Sequence, residues 1–116
     1  MLNPIKLTSK NFLSSLDTSY EEFLHILEIA KSFKNKDLNI KLKEKVLGLI
    51  FDKASTRTRV SFQVAMSRLG GTTVDLNPTT SQIGRGEPIR DTARVLSRYC
   101  DVLAIRTFKQ TDLEEY

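Results

Sequence analysis

Apolar residues divide the chain into three helical stretches and three extended ones. Ser19 and Glu22 stand three residues apart, a hydroxyl at a helix start with a carboxylate on the third position behind it. Tyr20, Phe23, Leu24 and Leu27 then recur at helical spacing and predict one apolar stripe. This helix is expected to fade near Asn35, where Lys31, Lys34 and Lys36 suit the negative end of its dipole. Residues 46–51, Val-Leu-Gly-Leu-Ile-Phe, show no polar alternation, the signature of a parallel strand buried on both faces. A second helix carries Phe62, Ala65, Met66 and Leu69, and Gly70-Gly71 stops it, since glycine accepts the left-handed turn at a helix end. Residues 72–76 read as a second, weaker strand, and 77–86 as a polar loop without periodicity. Pro88 fits the first turn of a third helix lined by Ile89, Ala93, Leu96 and Cys100. Residues 102–105 form the third strand, ending at Arg106, and 111–116 look like the start of another helix. The β-α-β-α-β order predicts an α/β fold, a parallel sheet with flanking helices and right-handed crossovers. The chain contains no internal repeat, and its length is that of one domain, residues 1–116.

Composition narrows the class. With 40% hydrophobic and 28% charged residues the chain is an ordinary globular protein, not a disordered tail. No apolar run approaches the ~18–20 residues of a membrane span, and the first residues lack the basic-then-apolar layout of a leader. A membrane is therefore not an expected partner. Cys100 is the sole cysteine, which excludes an internal disulfide and favours a reducing, cytoplasmic setting. The net charge of +4 suits a small anion. It falls short of the dense basic stripe of a nucleic-acid binder, and the lysines between Lys31 and Lys45 read as a solvated surface.

Open parallel sheets bind ligands just outside the carboxyl ends of their strands. Residues 55–59, Ser-Thr-Arg-Thr-Arg, follow the first strand and open a helix. Free backbone N–H groups and about half a unit of positive charge there attract phosphate. Ser55, Thr56 and Thr58 add hydroxyl donors, and Arg57 offers a planar fork that matches two phosphate oxygens. The same residues also fit a plain helix cap with surface charges, so the chemistry by itself leaves both readings open.

The whole string from Phe51 to Phe62, FDKASTRTRVSF, closely resembles the carbamoyl-phosphate signature of the aspartate and ornithine carbamoyltransferases. Residues 81–87, SQIGRGE, followed by 91–96, DTARVL, resemble the ornithine branch, and Ile105-Arg106-Thr107-Phe108 fits the family at the next strand. Lys53 stands in the region where the aspartate branch tends to carry proline. Arg85 and Gly86 depart from the lysine that some ornithine enzymes place there.

The resemblance implies the carbamoyl-phosphate-binding half of a two-domain carbamoyltransferase. It implies that Ser55, Thr56, Arg57, Thr58, Gln82 and Arg106 bind carbamoyl phosphate, with Arg57 and Arg106 catalytic. Glu87 would orient Arg57, or serve only as an acidic charge at a helix start. The implied reaction makes L-citrulline and phosphate from L-ornithine and carbamoyl phosphate, within arginine metabolism, and needs neither metal nor cofactor. The implied assembly is a homotrimer, or a multiple of trimers, with the 77–87 loop reaching a neighbour's site.

No His-Pro-Thr-Gln, Ser-Met-Gly or His-Cys-Leu-Pro segment occurs, so the ornithine-binding domain is expected to be absent and these residues inactive by themselves. Another amine acceptor, or a non-catalytic phosphate-binding module, are the competing readings. His25, alone on the first helix, reads as structural, and Cys100 as a small core residue. Arg59, Arg90, Arg94 and Arg98 read as helix-surface or interface pairs, with only Arg59 near the ligand segment.

Overall fold

The computed structural model describes residues 6–36, 39–51, 55–77 and 88–116. The chain forms two compact units, Met1–Ile40 and Lys41–Tyr116.

In the first unit the helix α1 runs over Tyr20–Lys34, as the spacing predicts. Its start is a full capping box: Ser19 Oγ accepts from the Glu22 N–H (3.1 Å), and Glu22 Oε1 accepts from the Ser19 N–H (3.0 Å). The other oxygen, Oε2, accepts from the Thr8 N–H at 2.8 Å, so one carboxylate ties the preceding chain to the helix. A short 3₁₀ turn at Ser15–Asp17 repeats the device with Ser14 and Asp17. The expected stripe of Tyr20, Phe23, Leu24 and Leu27 is on the helix but largely exposed, Tyr20 at 77%.

The Ser19 N–H bond, then that from Thr8, then the Ser19 hydroxyl hold the Glu22 carboxyl below the usual glutamate range. A depressed folded-state pKa contributes stability above the ordinary carboxylate range, lost as pH falls through the lowered folded value. Glu22→Gln is therefore expected to melt earlier than the parent at neutral pH, the difference closing on acidification. Melts followed by circular dichroism at several pH values check this, and a difference indifferent to pH would count against it.

In the second unit, β1 (Val46–Phe51) lies between β2 (Thr72–Leu76) and β3 (Val102–Arg106), and all pairings are parallel. Residues 47–51 of β1 are all buried, which explains the continuous apolar run, because a parallel strand covered on both faces has no polar side. Leu49 and Ile50 are fully buried. Leu47, Leu49 and Phe51 point to one face and form the core with Met66 of α2 (Thr56–Arg68).

On the other face Gly48 admits a close approach. A Cβ there would lie 2.7 Å from Leu103 Cδ2 and 3.0 Å from Cys100 Sγ. Helix α2 ends as expected at glycine: Gly70 takes φ 85°, its N–H reaches the Ser67 carbonyl, and the Gly71 N–H reaches that of Met66. Asp101 ties the start of β3 to the start of β1, its carboxylate accepting from the Val46 N–H at 2.8 Å.

Two boundaries differ from expectation. Pro88 caps α3 (Ile89–Leu96) from outside rather than occupying its first turn, and Cys100 falls beyond the helix. The chain tightens there into i→i−3 turns, Arg98 to Val95 and Tyr99 to Leu96, which bring the half-buried Cys100 sulfur over Gly48. Burial, with a smaller push from the Asp101 carboxylate, raises the thiol pKa and suits a packing role. A last helix, α4, covers Gln110–Glu115.

Candidate functional site

The ends of β1 and β3 are neighbours by register, Phe51 opposite Arg106. Ser55 follows β1 at the N-cap position of α2, so the fold sets Arg106 beside the helix start. The contact is direct: Arg106 Nη1 donates to Ser55 Oγ at 2.5 Å. Two segments selected separately in the sequence are thus joined across 51 positions.

Ser55 does not behave as an ordinary cap. Ser14 and Ser19 both turn their hydroxyls back onto helix N–H groups, but Ser55 makes no such bond. Its hydroxyl oxygen accepts from Arg106 instead, leaving the hydroxyl hydrogen for another acceptor. The first intrahelical bond is Arg59 N–H to the Ser55 carbonyl (2.9 Å), so the N–H groups before it have no helical partner. The first turn of α2 also holds no acidic residue, whereas α1 has Glu21 and Glu22 and α3 has Asp91. The positive end of the α2 dipole is therefore not offset by its own sequence.

Ser55 is buried, while Thr56, Arg57 and Thr58 are exposed at the mouth of the site. Ser55 meets Arg106 directly, and Thr56, Arg57 and Thr58 follow it in the first turn of α2. Gln82 and Glu87 lie outside the described residues. His25 belongs to the first unit, on α1. Beside Arg106 the β3–α4 junction encloses an open groove of about 430 Å³, lined by Thr107, Phe108, Lys109, Gln110 and Leu113 among others. Among the described residues no group of three or more His, Cys, Asp or Glu is placed to hold a metal ion. No helix there is long and apolar enough to cross a membrane.

One arrangement was not legible in the sequence. Arg59, one turn into α2, brings Nε to 3.3 Å from Asp75 Oδ2 on β2. Its guanidinium carbon lies 5.8 Å from the centre of the Phe51 ring. Phe51 in turn meets Phe62 edge-on, with centroids 6.4 Å apart. The only available signal was the two-residue offset from Arg57, which sends consecutive arginines to different sides of a helix.

Such a helix start can hold a phosphate-bearing anion: N–H groups without helical partners and hydroxyls stand beside the Arg106 guanidinium, with no acid in the first turn. The "Aspartate/ornithine carbamoyltransferase, carbamoyl-P binding domain" family profile matches residues 10–116. Ornithine carbamoyltransferase of Prochlorococcus marinus subsp. pastoris is 76% identical over 116 residues, which are 100% of this chain and 38% of that protein. The solved ornithine carbamoyltransferase of Pyrococcus furiosus is 46% identical with a TM-score of 0.85, covering 97% of this chain and 37% of its own. That of Gloeobacter violaceus is 53% identical with a TM-score of 0.78, covering 90% and 33%. The chain thus spans well under half the length of these relatives. From the profile match and these identities, the chain belongs to the aspartate/ornithine carbamoyltransferase family, as its carbamoyl-phosphate-binding part.

Proposed function

We propose that residues 1–116 serve as the carbamoyl-phosphate-binding domain of an ornithine carbamoyltransferase, which makes L-citrulline and phosphate from carbamoyl phosphate and L-ornithine. The observation that carries the reading is the Arg106–Ser55 bond beside an uncapped, acid-free helix start. In this reading the N–H groups of the first α2 turn, the hydroxyls of Ser55, Thr56 and Thr58, and the fork of Arg57 grip the phosphate. Gln82 contacts the same ligand from the 77–87 loop, acting on a neighbouring subunit's site in a homotrimer. The neutral amine of ornithine, held by a further domain, attacks the carbamoyl carbon. Charge grows on the carbonyl oxygen, the bond from the carbamoyl carbon to the bridging phosphate oxygen breaks, and phosphate leaves with the electron pair. The amine nitrogen gives up its proton to the leaving phosphate.

Arg57 and Arg106 are the catalytic residues, fixed cations aimed at the oxyanion and the leaving phosphate, with Thr58 a further donor. Holding the two reactants together supplies much of the remaining acceleration. The ornithine acceptor follows the names of the relatives that match, arginine metabolism follows from that reaction, and a cytoplasmic setting rests on the lone cysteine, Cys100.

Calorimetric titration of the complete polypeptide with carbamoyl phosphate is expected to give saturable binding that inorganic phosphate competes away. Ser55→Ala removes a hydroxyl donor to a charged ligand and is expected to weaken it by about 1.5–3 kcal/mol. Citrulline should form from ornithine, with no carbamoylated product from aspartate or putrescine. Equilibrium sedimentation and cell fractionation check the trimer and the compartment. No heat at millimolar carbamoyl phosphate would overturn the reading of the site, and turnover of another amine in preference to ornithine would overturn the acceptor.

A further inference from the structure

We infer that Arg59 is a positioning residue for the anion site, acting through Asp75 and Phe51 rather than by touching the ligand. The inference rests on the reading of residues 55–58 as a phosphate cradle. Arg57 and Arg59 are two residues apart, about 200° around a helix, and their surroundings divide accordingly. Arg57 is exposed at the site mouth, while Arg59 turns in toward the sheet with its side chain 30% exposed.

Arg59 Nε is closed off from solvent and makes no aligned hydrogen bond among the described residues. The Asp75 carboxylate at 3.3 Å is the charge set against it. The flat guanidinium also lies near the buried Phe51 ring, at the last residue of β1. One side chain therefore links the first turn of α2 to the end of β1 and the end of β2. Its own N–H bonds the Ser55 carbonyl, so a rotation of Arg59 about the helix axis moves the residue that Arg106 holds.

The pair also keeps a third cation off the phosphate. Arg59 is already neutralised by Asp75, so the ligand meets Arg57 and Arg106 in a geometry set by the scaffold. A lysine would keep the charge near Asp75 but lose the planar guanidinium over Phe51.

The test is a mutant cycle in the complete polypeptide, with carbamoyl phosphate as the titrant. Melting temperature is followed in parallel, and Arg57→Ala serves as a control. Arg59→Met keeps the apolar stem over Phe51, and Asp75→Asn removes the opposing charge. Each is expected to weaken carbamoyl phosphate about tenfold, and the double variant no further than either single one, the mark of a shared pathway. The KM for ornithine should stay unchanged, and Arg59→Lys should recover part of the loss.

Unchanged affinity in Arg59→Met, beside a clear loss in Arg57→Ala, would overturn the inference while leaving the site reading intact. Loss in Arg59→Met without loss in Asp75→Asn would also overturn it, because Arg59 would then be acting on the ligand directly. Should Arg59→Met fail to fold, Asp75→Asn and Arg59→Lys decide the matter by the same comparison. Absence of binding by the parent protein overturns the cradle and this inference together.

Discussion

Arg57→Ala is expected to weaken carbamoyl phosphate binding by about 1.5–3 kcal/mol, on the order of ten- to a hundredfold, while leaving the fold intact. The side chain is exposed at the start of α2 and takes no part in the core. Its removal therefore costs the ligand two parallel charge-assisted bonds and costs the protein little packing. Arg57→Lys is expected to fall between the two, since a compact ammonium carries the charge without the planar fork. Calorimetry gives the affinities, and circular dichroism verifies that each variant is folded. Equal affinity in the parent and both variants would remove Arg57 from the site and shift the anion toward Arg106 and the groove beside it.

Leu49→Ala addresses the scaffold rather than the ligand, and is expected to destabilise the protein by about 2–5 kcal/mol. Leu49 is fully buried in the central strand, flanked in register by Asp75 on β2 and Ala104 on β3. Truncation there leaves a cavity among Leu47, Phe51 and Met66 that a three-stranded parallel sheet cannot close without shifting a strand. Val64→Ala on α2, where the side chain is 43% exposed, serves as the comparison and should change stability much less. Urea unfolding of both variants reads the difference. A Leu49 variant as stable as the Val64 variant would show that the core lies elsewhere.

The alternation of elements was legible because each left a local mark. The unbroken apolar run of β1 announced a central strand, the Ser19–Glu22 spacing announced α1, and Gly70-Gly71 announced the end of α2. Ser55 to Thr58 and Arg106 were legible as candidates because the family signature quotes them and strand ends are where such sheets bind.

The behaviour of Ser55 was not legible. Serine opens helices at positions 14, 19 and 55, yet only the first two cap. What distinguishes the third is Arg106, brought alongside by the β1–β3 register and invisible to any local window. The Arg59–Asp75 pair escaped for the same reason, since it depends on α2 folding back over β2. The exposed stripe of α1 shows the converse: periodicity located the helix face, but what a face meets is a tertiary fact.

Under the proposed reading of the anion site, the bond between Ser55 and Arg106 ties ligand occupancy to cohesion of the fold. Its two ends are far apart in sequence and meet only when β3 has joined β1. An unfolded chain offers no such pair, so a phosphate held there is bound by the native form alone. By mass action, a ligand at about a hundred times its Kd then adds about 2.7 kcal/mol to the stability of the sheet that holds it. In the proposed reading a substrate held there would fasten the third strand to the first, and a cell rich in that substrate would keep a marginal variant folded that a starved cell would lose.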